Sequence, residues 1–431
     1  MLNSNHLKAN PTTKVRFFEE TLSNGLHVIL HQDNTNPLVS VSVLYHVGTK
    51  NESPGKSGFA HFFEHLMFEG SKNVKKGEFF KYIASNGGKN NAYTNYDETC
   101  YYEILPSDRL PLALWLESER MFHAKVDQES INIQREVVKE ERKMRIENQP
   151  FAIAISEIIP SLLFKKHPYQ YPIIGFEKDL NASTKEDYNK FYETYYVPNN
   201  AILVVAGDFD MNEARNLINQ YFSSIPKGKI NFHMKRIEED PINQEIFSTY
   251  VDKNTKVPGI FLSYRVPKII EKDSYVLKII DHVLSSGESS RIMKNVVNQK
   301  QMASYAGSFL DSMEDYGTFT IYGVINPGVT LDQLTKVIDE EIEILKEKGI
   351  TQYELEKQRN YFSKKFLFKN YSMSGIADNL AHYSLYYKNT DLINTDIEKY
   401  LEISVEDIKR VANKYLNKNC RVRLYNVPSN N

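Results

Sequence analysis

The chain has 431 residues, 41% hydrophobic and 25% charged, with a net charge of −2. That is an ordinary soluble globular composition, long enough for two or three domains, and its charge balance argues against a nucleic-acid partner or a polybasic membrane anchor. The two cysteines, Cys100 and Cys420, are far apart in sequence and form no C-x-x-C pair, which argues against a disulfide framework and a cysteine-ligated metal. No apolar run approaches the length of a membrane span. The start, MLNSNHLKANPTTKVRFFEE, lacks an apolar signal core, so the expectation is a cytoplasmic protein, or a periplasmic one if a leader has been removed.

In chain order, residues 1–14 are polar and predicted to be loose. Phe17 to Gln32 reads as a hairpin around Ser23-Asn24-Gly25, because Asn-Gly supplies the positive φ that a tight turn demands. Leu38 to Val47 alternates and is β-branched, the pattern of a half-buried strand. A Gly/Pro/Ser-rich loop leads to a helix over Ala60 to Phe68, and a second helix ends near Gly87-Gly88. Two strands follow in NNAYTNYDETCYYEIL, then an amphipathic helix over Arg109 to Phe122 and a long charged one over Gln128 to Asn148. A helix (Thr184 to Tyr195), a strand (Ala201 to Ala206) and a helix (Met211 to Phe222) close the first unit.

Lys227 to Asn243 is polar and without pattern, and is read as a linker. Beyond it the order of elements recurs, with a strand at Gly259 to Tyr264, a helix at Asp273 to Leu284, and a strand pair at Ser304 to Leu310 and Gly317 to Val324. Helices and a terminal strand follow. The expected fold is therefore α+β, with two homologous domains over 1–230 and 231–431, each a mainly antiparallel sheet packed with helices.

The chemistry concentrates in the first unit, at His61-Phe62-Phe63-Glu64-His65. On a helix, His65 lies about 40° from His61 and Glu64 about 60° to the other side, so two imidazoles and a carboxylate share one face. A catalytic zinc needs such a pair of nitrogen ligands, with a carboxylate near the attacking water. This is the inverted H-x-x-E-H arrangement. The second unit carries no such motif; Asp281 and His282 stand in its place.

A third ligand is expected. On a wheel of about 100° per residue with Val137 at the origin, Ile133, Val137, Met144, Val138 and Ile131 centre an apolar face at about 20–40°. Glu141 falls at about 40°, while Glu136 and Glu140 fall outside it, at about 260° and 300°. A carboxylate on an apolar face is costly unless paired or metal-bound. Glu141 is the candidate; an ion pair with an arginine is the alternative.

At this point the sequence resembles the pitrilysin/insulinase family of zinc metallopeptidases. The resemblance is carried by SNGLHVIL, GFAHFFEHLMFEG, GGKNNAYTNYDETCYYEILP, REVVKEE and YYVPNNAILVVAGDFD, and more weakly by LSSGESSRI. It implies a zinc-dependent endopeptidase shaped as half of a clamshell, with one Zn2+ held by His61, His65 and Glu141, and with Glu64 as general base. It also implies that Asn91, Ala92 and Tyr93 form a sheet edge to which a peptide substrate adds as a strand; Thr94 and Asp97 are read as structural. Gln134 stands where the family often carries an acidic residue, and is expected in the second shell of the metal.

The resemblance further implies a dimer. The family's second domain carries an arginine and, seven residues on, a tyrosine that hold substrate; here those positions are Val297 and Ser304, with Tyr305 one residue late. The expectation is a partner that is related, lacks zinc, and supplies the Arg/Tyr pair. The alternative from another class is a non-catalytic scaffold subunit.

Overall fold

A computed structural model describes residues 14–229 and 237–429; most of the segment expected to be loose and the middle of the expected linker lie outside these. The first unit runs β1 (Phe18–Thr21), β2 (His27–Gln32), β3 (Leu38–Tyr45), α1 (Phe59–Leu66), α2 (Glu78–Ser85), β4 (Lys89–Thr94), β5 (Thr99–Pro106), α3 (Leu110–His123) and α4 (Gln128–Arg142). It continues through α5 (Ile159–Leu163), α6 (Glu177–Ala182), α7 (Lys185–Tyr195), β6 (Ala201–Gly207) and α8 (Met211–Phe222). The second contains β7 (Ile246–Asp252), β8 (Gly259–Val266), α9 (Lys272–Ser285), β9 (Ala303–Ser312), β10 (Gly317–Ile325), α10 (Leu331–Lys348) and α11 (Gln352–Lys369). It ends with α12 (Met373–His382), α13 (Leu392–Leu401), α14 (Val405–Tyr415) and β11 (Arg421–Pro428).

The sheet orders are β1-β2-β6-β3-β5-β4 and β7-β11-β8-β10-β9. In each, one pair is parallel (β2 with β6, β7 with β11) and the remaining neighbours are antiparallel. Apart from the extra edge strand β1, the sheets superpose by order: β3 answers to β8, β4 to β9, α1 to α9 and α4 to α11. The α+β fold with a recurring order of elements is as the sequence predicts.

Each sheet packs its helices around a separate apolar core. The units are not independent, however. Ile376, Ala377 and Leu380 of α12 bury against Ile29, Leu44, Ile202 and Val204, covering the other face of the first sheet. A second tie is ionic. Lys50 contacts Asp97 at 3.1 Å, Asp315 at 3.6 Å and Glu314, and Glu314 also meets His46 at 2.7 Å. Thus the turn between β9 and β10 is fastened to loops of the first sheet.

Three helical stretches have no counterpart in the sequence reading: residues 154–163, α6 and α13. All are short, and the first begins as a π-helical stretch and carries Pro160, so the period that marks a longer helix is not established. No helix among the described residues is long and apolar enough to cross a membrane.

Candidate metal centre

Helix α1 is set by its first turn. Gly58 precedes it at φ 89°, and Gly175 (φ 78°) lies back to back with it; a Cβ on Gly58 would stand 2.8 Å from the Gly175 Cα. Only glycine fits both positions. The buried Glu52 carboxylate accepts the Gly58 and Ala60 amides at 2.8 and 2.9 Å, satisfying donors that a helix start leaves free. Phe59, Phe62 and Phe63 then pack on Tyr188 and Phe191, which turns His61, Glu64 and His65 toward α4 and the edge strand β4.

On α4, one oxygen of Glu141 lies 3.5 Å from His61 Nε2 and 3.3 Å from His65 Nε2. The three ligand atoms all fall within 4.8 Å of one another, and this is the one group of its kind found among the described residues. That Glu141 oxygen makes no well-formed hydrogen bond, and His61 Nδ1 is buried without a partner among the described residues. Burial, and then His65, hold the His61 imidazole down to about 4, so its lone pair is free at neutral pH. The His65 ring first, then His61 and Arg145, keep the Glu141 carboxyl below its ordinary range against the effect of burial. Two imidazole nitrogens and a carboxylate, close together with unsatisfied atoms turned inward, form a donor set that suits zinc.

The set opens into a cavity of about 560 Å3, lined also by Glu64, Arg145 and the strand residues Asn91 to Thr94. Burial pushes the Glu64 carboxyl above its ordinary value, opposed by Thr94 and His65. Strand β4 pairs with β5 on one side and ends the sheet, leaving its other edge open.

The family model described as Insulinase (Peptidase family M16) matches residues 27–176, and that described as Peptidase M16 inactive domain matches 182–362. The Helicobacter pylori zinc protease PqqE is 33% identical over 92% of this chain and 89% of its own. This chain belongs to the insulinase family. A crystal structure of a protease from Helicobacter pylori superposes with a TM-score of 0.91 at 30% identity, covering 96% of this chain and all of that one. The periplasmic protease PqqL of Escherichia coli shares the fold at a TM-score of 0.75 and 21% identity; 96% of this insulinase-family chain covers 48% of it.

The structure brings together His61, Glu64, His65 and Glu141, and places Gln134 beside them: His65 Nδ1–H donates to Gln134 Oε1 at 3.2 Å. Asn91 and Ala92 lie on the edge strand. Tyr93 does too, but its hydroxyl donates to Asp378 on α12 at 2.8 Å, so its side chain serves the junction between the units. Asp97, buried against Lys50 and the Tyr169 hydroxyl, is structural as read. Thr94, also read as structural, lies beside Glu64 in the cavity.

The face argument for Glu141 needs correcting. Ile133, Val137 and Met144 are exposed, while Ser130, Ile131, Val138 and Arg142 form the buried side of α4. Glu141 therefore sits at the border of the buried face, turned to α1, rather than in the middle of it. Arg145, one turn further, was not singled out by sequence. Its guanidinium meets the other Glu141 oxygen at 3.1 Å and is two-thirds exposed in the cavity. The i,i+4 spacing to Glu141 was the available signal.

Proposed function

We propose that this chain is a zinc-dependent endopeptidase acting on extended segments of peptides or unfolded polypeptides. The observation that carries the reading is the His61–His65–Glu141 donor set sharing one cavity with Glu64 and the open edge of β4. The metal chemistry is assigned to 1–230, and 231–431 is a metal-free counterpart.

Zinc held by these three side chains would supply the Lewis acid for the scissile carbonyl and the attacking water. His61 presents a neutral Nε2, and Gln134 orients the His65 ring by accepting from Nδ1. The substrate backbone pairs with the free edge at Asn91 to Tyr93, which favours segments able to extend. Glu64 takes the proton from the attacking water and passes it to the leaving amine as the peptide bond breaks. Metal analysis of protein purified without added zinc tests this reading: about one zinc per chain is expected, falling in the His61→Ala, His65→Ala and Glu141→Gln variants.

We further propose that the active assembly is a dimer with a related chain lacking the zinc motif. In this chain, Val297 packs on the second core, Ser304 Oγ donates to the Val324 carbonyl, and Tyr305 stands exposed against Tyr322. Arg291 is spent on Glu354 and the Gly349 carbonyl. The match to about half of the longer PqqL supports a partner of similar size. Assay of the purified chain alone and with such a partner tests it. Full activity of the lone chain, unchanged by the partner, would overturn the zinc-less partner and leave Tyr305 or another residue to hold substrate.

A further inference from the structure

The second unit has a cavity of about 250 Å3 between α9, α11, α12 and α13. Its position follows from the duplication. Helix α9 packs on β9 and α11 as α1 packs on β4 and α4, so this cavity occupies in the second copy the place that the metal centre occupies in the first. Asp281 and His282, on the helix that answers to the motif helix, both line it.

Its lining has changed sign. Lys278 on α9 and Lys365 and Lys369 on α11 bring three ammonium groups to one space. The acids there are already engaged. Asp281 accepts from Ser308 Oγ at 2.6 Å. Asp396 accepts from the Tyr275 and Tyr383 hydroxyls at 2.6 and 3.1 Å and meets Lys399 at 3.1 Å. Lys369 reaches Asn379 Oδ1 at 3.0 Å. Lys278, by contrast, has neither a hydrogen bond nor an ion pair among the described residues; its ammonium lies over the face of Tyr275 at 5.1 Å. His282 Nδ1 is likewise buried without a partner.

We propose that this cavity binds a small multivalent oxyanion of the phosphate class. Three lysines and the unpartnered His282 Nδ1 lining one half-open cavity suit such an anion, since charge-assisted hydrogen bonds to a dianion are among the strongest available. The electrostatics agree. Burial, and then the neighbouring lysines, push Lys278 down to about 8 even with Asp396 nearby. Burial and lysine charges hold His282 at about 4 and His382 at about 3. Asp281 and Asp396 offset only part of the charge of the three lysines that line the cavity, and a bound anion supplies the rest. Because α12 also covers the first sheet, the anion would touch elements that join both units.

The test is calorimetric titration of the full zinc-loaded chain with inorganic phosphate, at ionic strength matched with chloride. Saturable binding is expected, weakened by about tenfold or more in Lys278→Met and in Lys365→Gln. Lys278→Met removes a cation without a partner, so this variant should fold at least as stably as the wild type in the absence of phosphate. His65→Ala, which damages the metal centre, should bind phosphate as the wild type does. Absence of binding, binding unaltered by both lysine substitutions, or binding lost with His65→Ala would each overturn the proposal. Binding of citrate with phosphate inert would overturn its phosphate class.

Discussion

Gln134 Oε1 accepts the His65 Nδ1 proton at 3.2 Å, while the same amide donates to Glu69 Oε1 at 2.7 Å and Glu69 pairs with Lys76 at 2.7 Å. The chain of contacts sets the amide's orientation: its oxygen must face the histidine and its nitrogen the carboxylate. His65 is thereby held as the Nδ1–H tautomer, with its Nε2 lone pair turned to Glu141 and His61.

Removing that support should weaken the metal centre without dismantling it. Gln134→Leu is expected to lower zinc affinity about 10–100-fold, the usual effect of losing an outer-shell partner. Gln134→Glu, with a charged acceptor, should equal or exceed the wild type. Competition with a zinc chelator at fixed pH measures both, and unchanged affinity in Gln134→Leu would show that Gln134 does not support the site.

The two neighbouring glutamates give a sharper contrast. Glu141→Gln should lose zinc, whereas Glu140→Gln should retain it, because the exposed Glu140 pairs with Lys143 and not with the metal ligands. Arg145→Ala should keep zinc while raising KM or lowering kcat, since its exposed guanidinium faces the cavity beside Glu141. Zinc content and steady-state kinetics together separate these outcomes.

Beneath the site, Arg120 is fully buried between Glu103 and Glu117, at 3.3 and 3.2 Å, with Phe68, Phe79 and Tyr101 rings 4.3–4.6 Å from its guanidinium. Burial, and then Glu117, push the Glu103 carboxyl well above its ordinary range. Arg120→Ala leaves an uncompensated carboxylate and a void, and should cost about 3–5 kcal/mol in urea unfolding. A loss below about 1 kcal/mol would contradict this reading of the cluster.

The junction of the units should show in acid. Burial alone would raise Glu314, but the His46 and Lys50 contacts outweigh it and hold its carboxyl down to about 2. A depressed carboxyl contributes stability that is complete above its unfolded value, near pH 4.5, and is lost as pH falls toward 2. Glu314→Gln should therefore be less stable than the wild type by on the order of 2 kcal/mol at pH 6–7, discounting for its partial exposure. The gap should close progressively between about pH 4.5 and pH 2. A gap independent of pH would mean that the contacts are not ionic.

The motif helix was legible because it obeys a local rule, helical spacing for His61, Glu64 and His65. The duplicated order of strands and helices was legible for the same reason. Glu141 was reached through a face that proves exposed and through the spacing of the family that the chain resembles. What was not legible depends on contacts distant in sequence. The stripe Ile133, Val137 and Met144 looks like a core face but is exposed, because α4 turns a mixed face of Ser130, Ile131, Val138 and Arg142 inward. Nothing local in α12 says that its apolar side covers the first sheet, nor that Tyr93 reaches Asp378. The lysine cavity likewise depends on α9 and α11 packing together, with their lysines far apart in sequence.

The most direct measurement is a peptide-library digest read by mass spectrometry, comparing wild type with Glu64→Gln at equal measured zinc content and with the partner chain present if one is required. The account predicts internal cleavages by the wild type that a chelator abolishes, and turnover reduced about 10²–10⁴-fold or more in Glu64→Gln with zinc retained. Near-full cleavage by Glu64→Gln, or wild-type cleavage indifferent to the chelator, would contradict it.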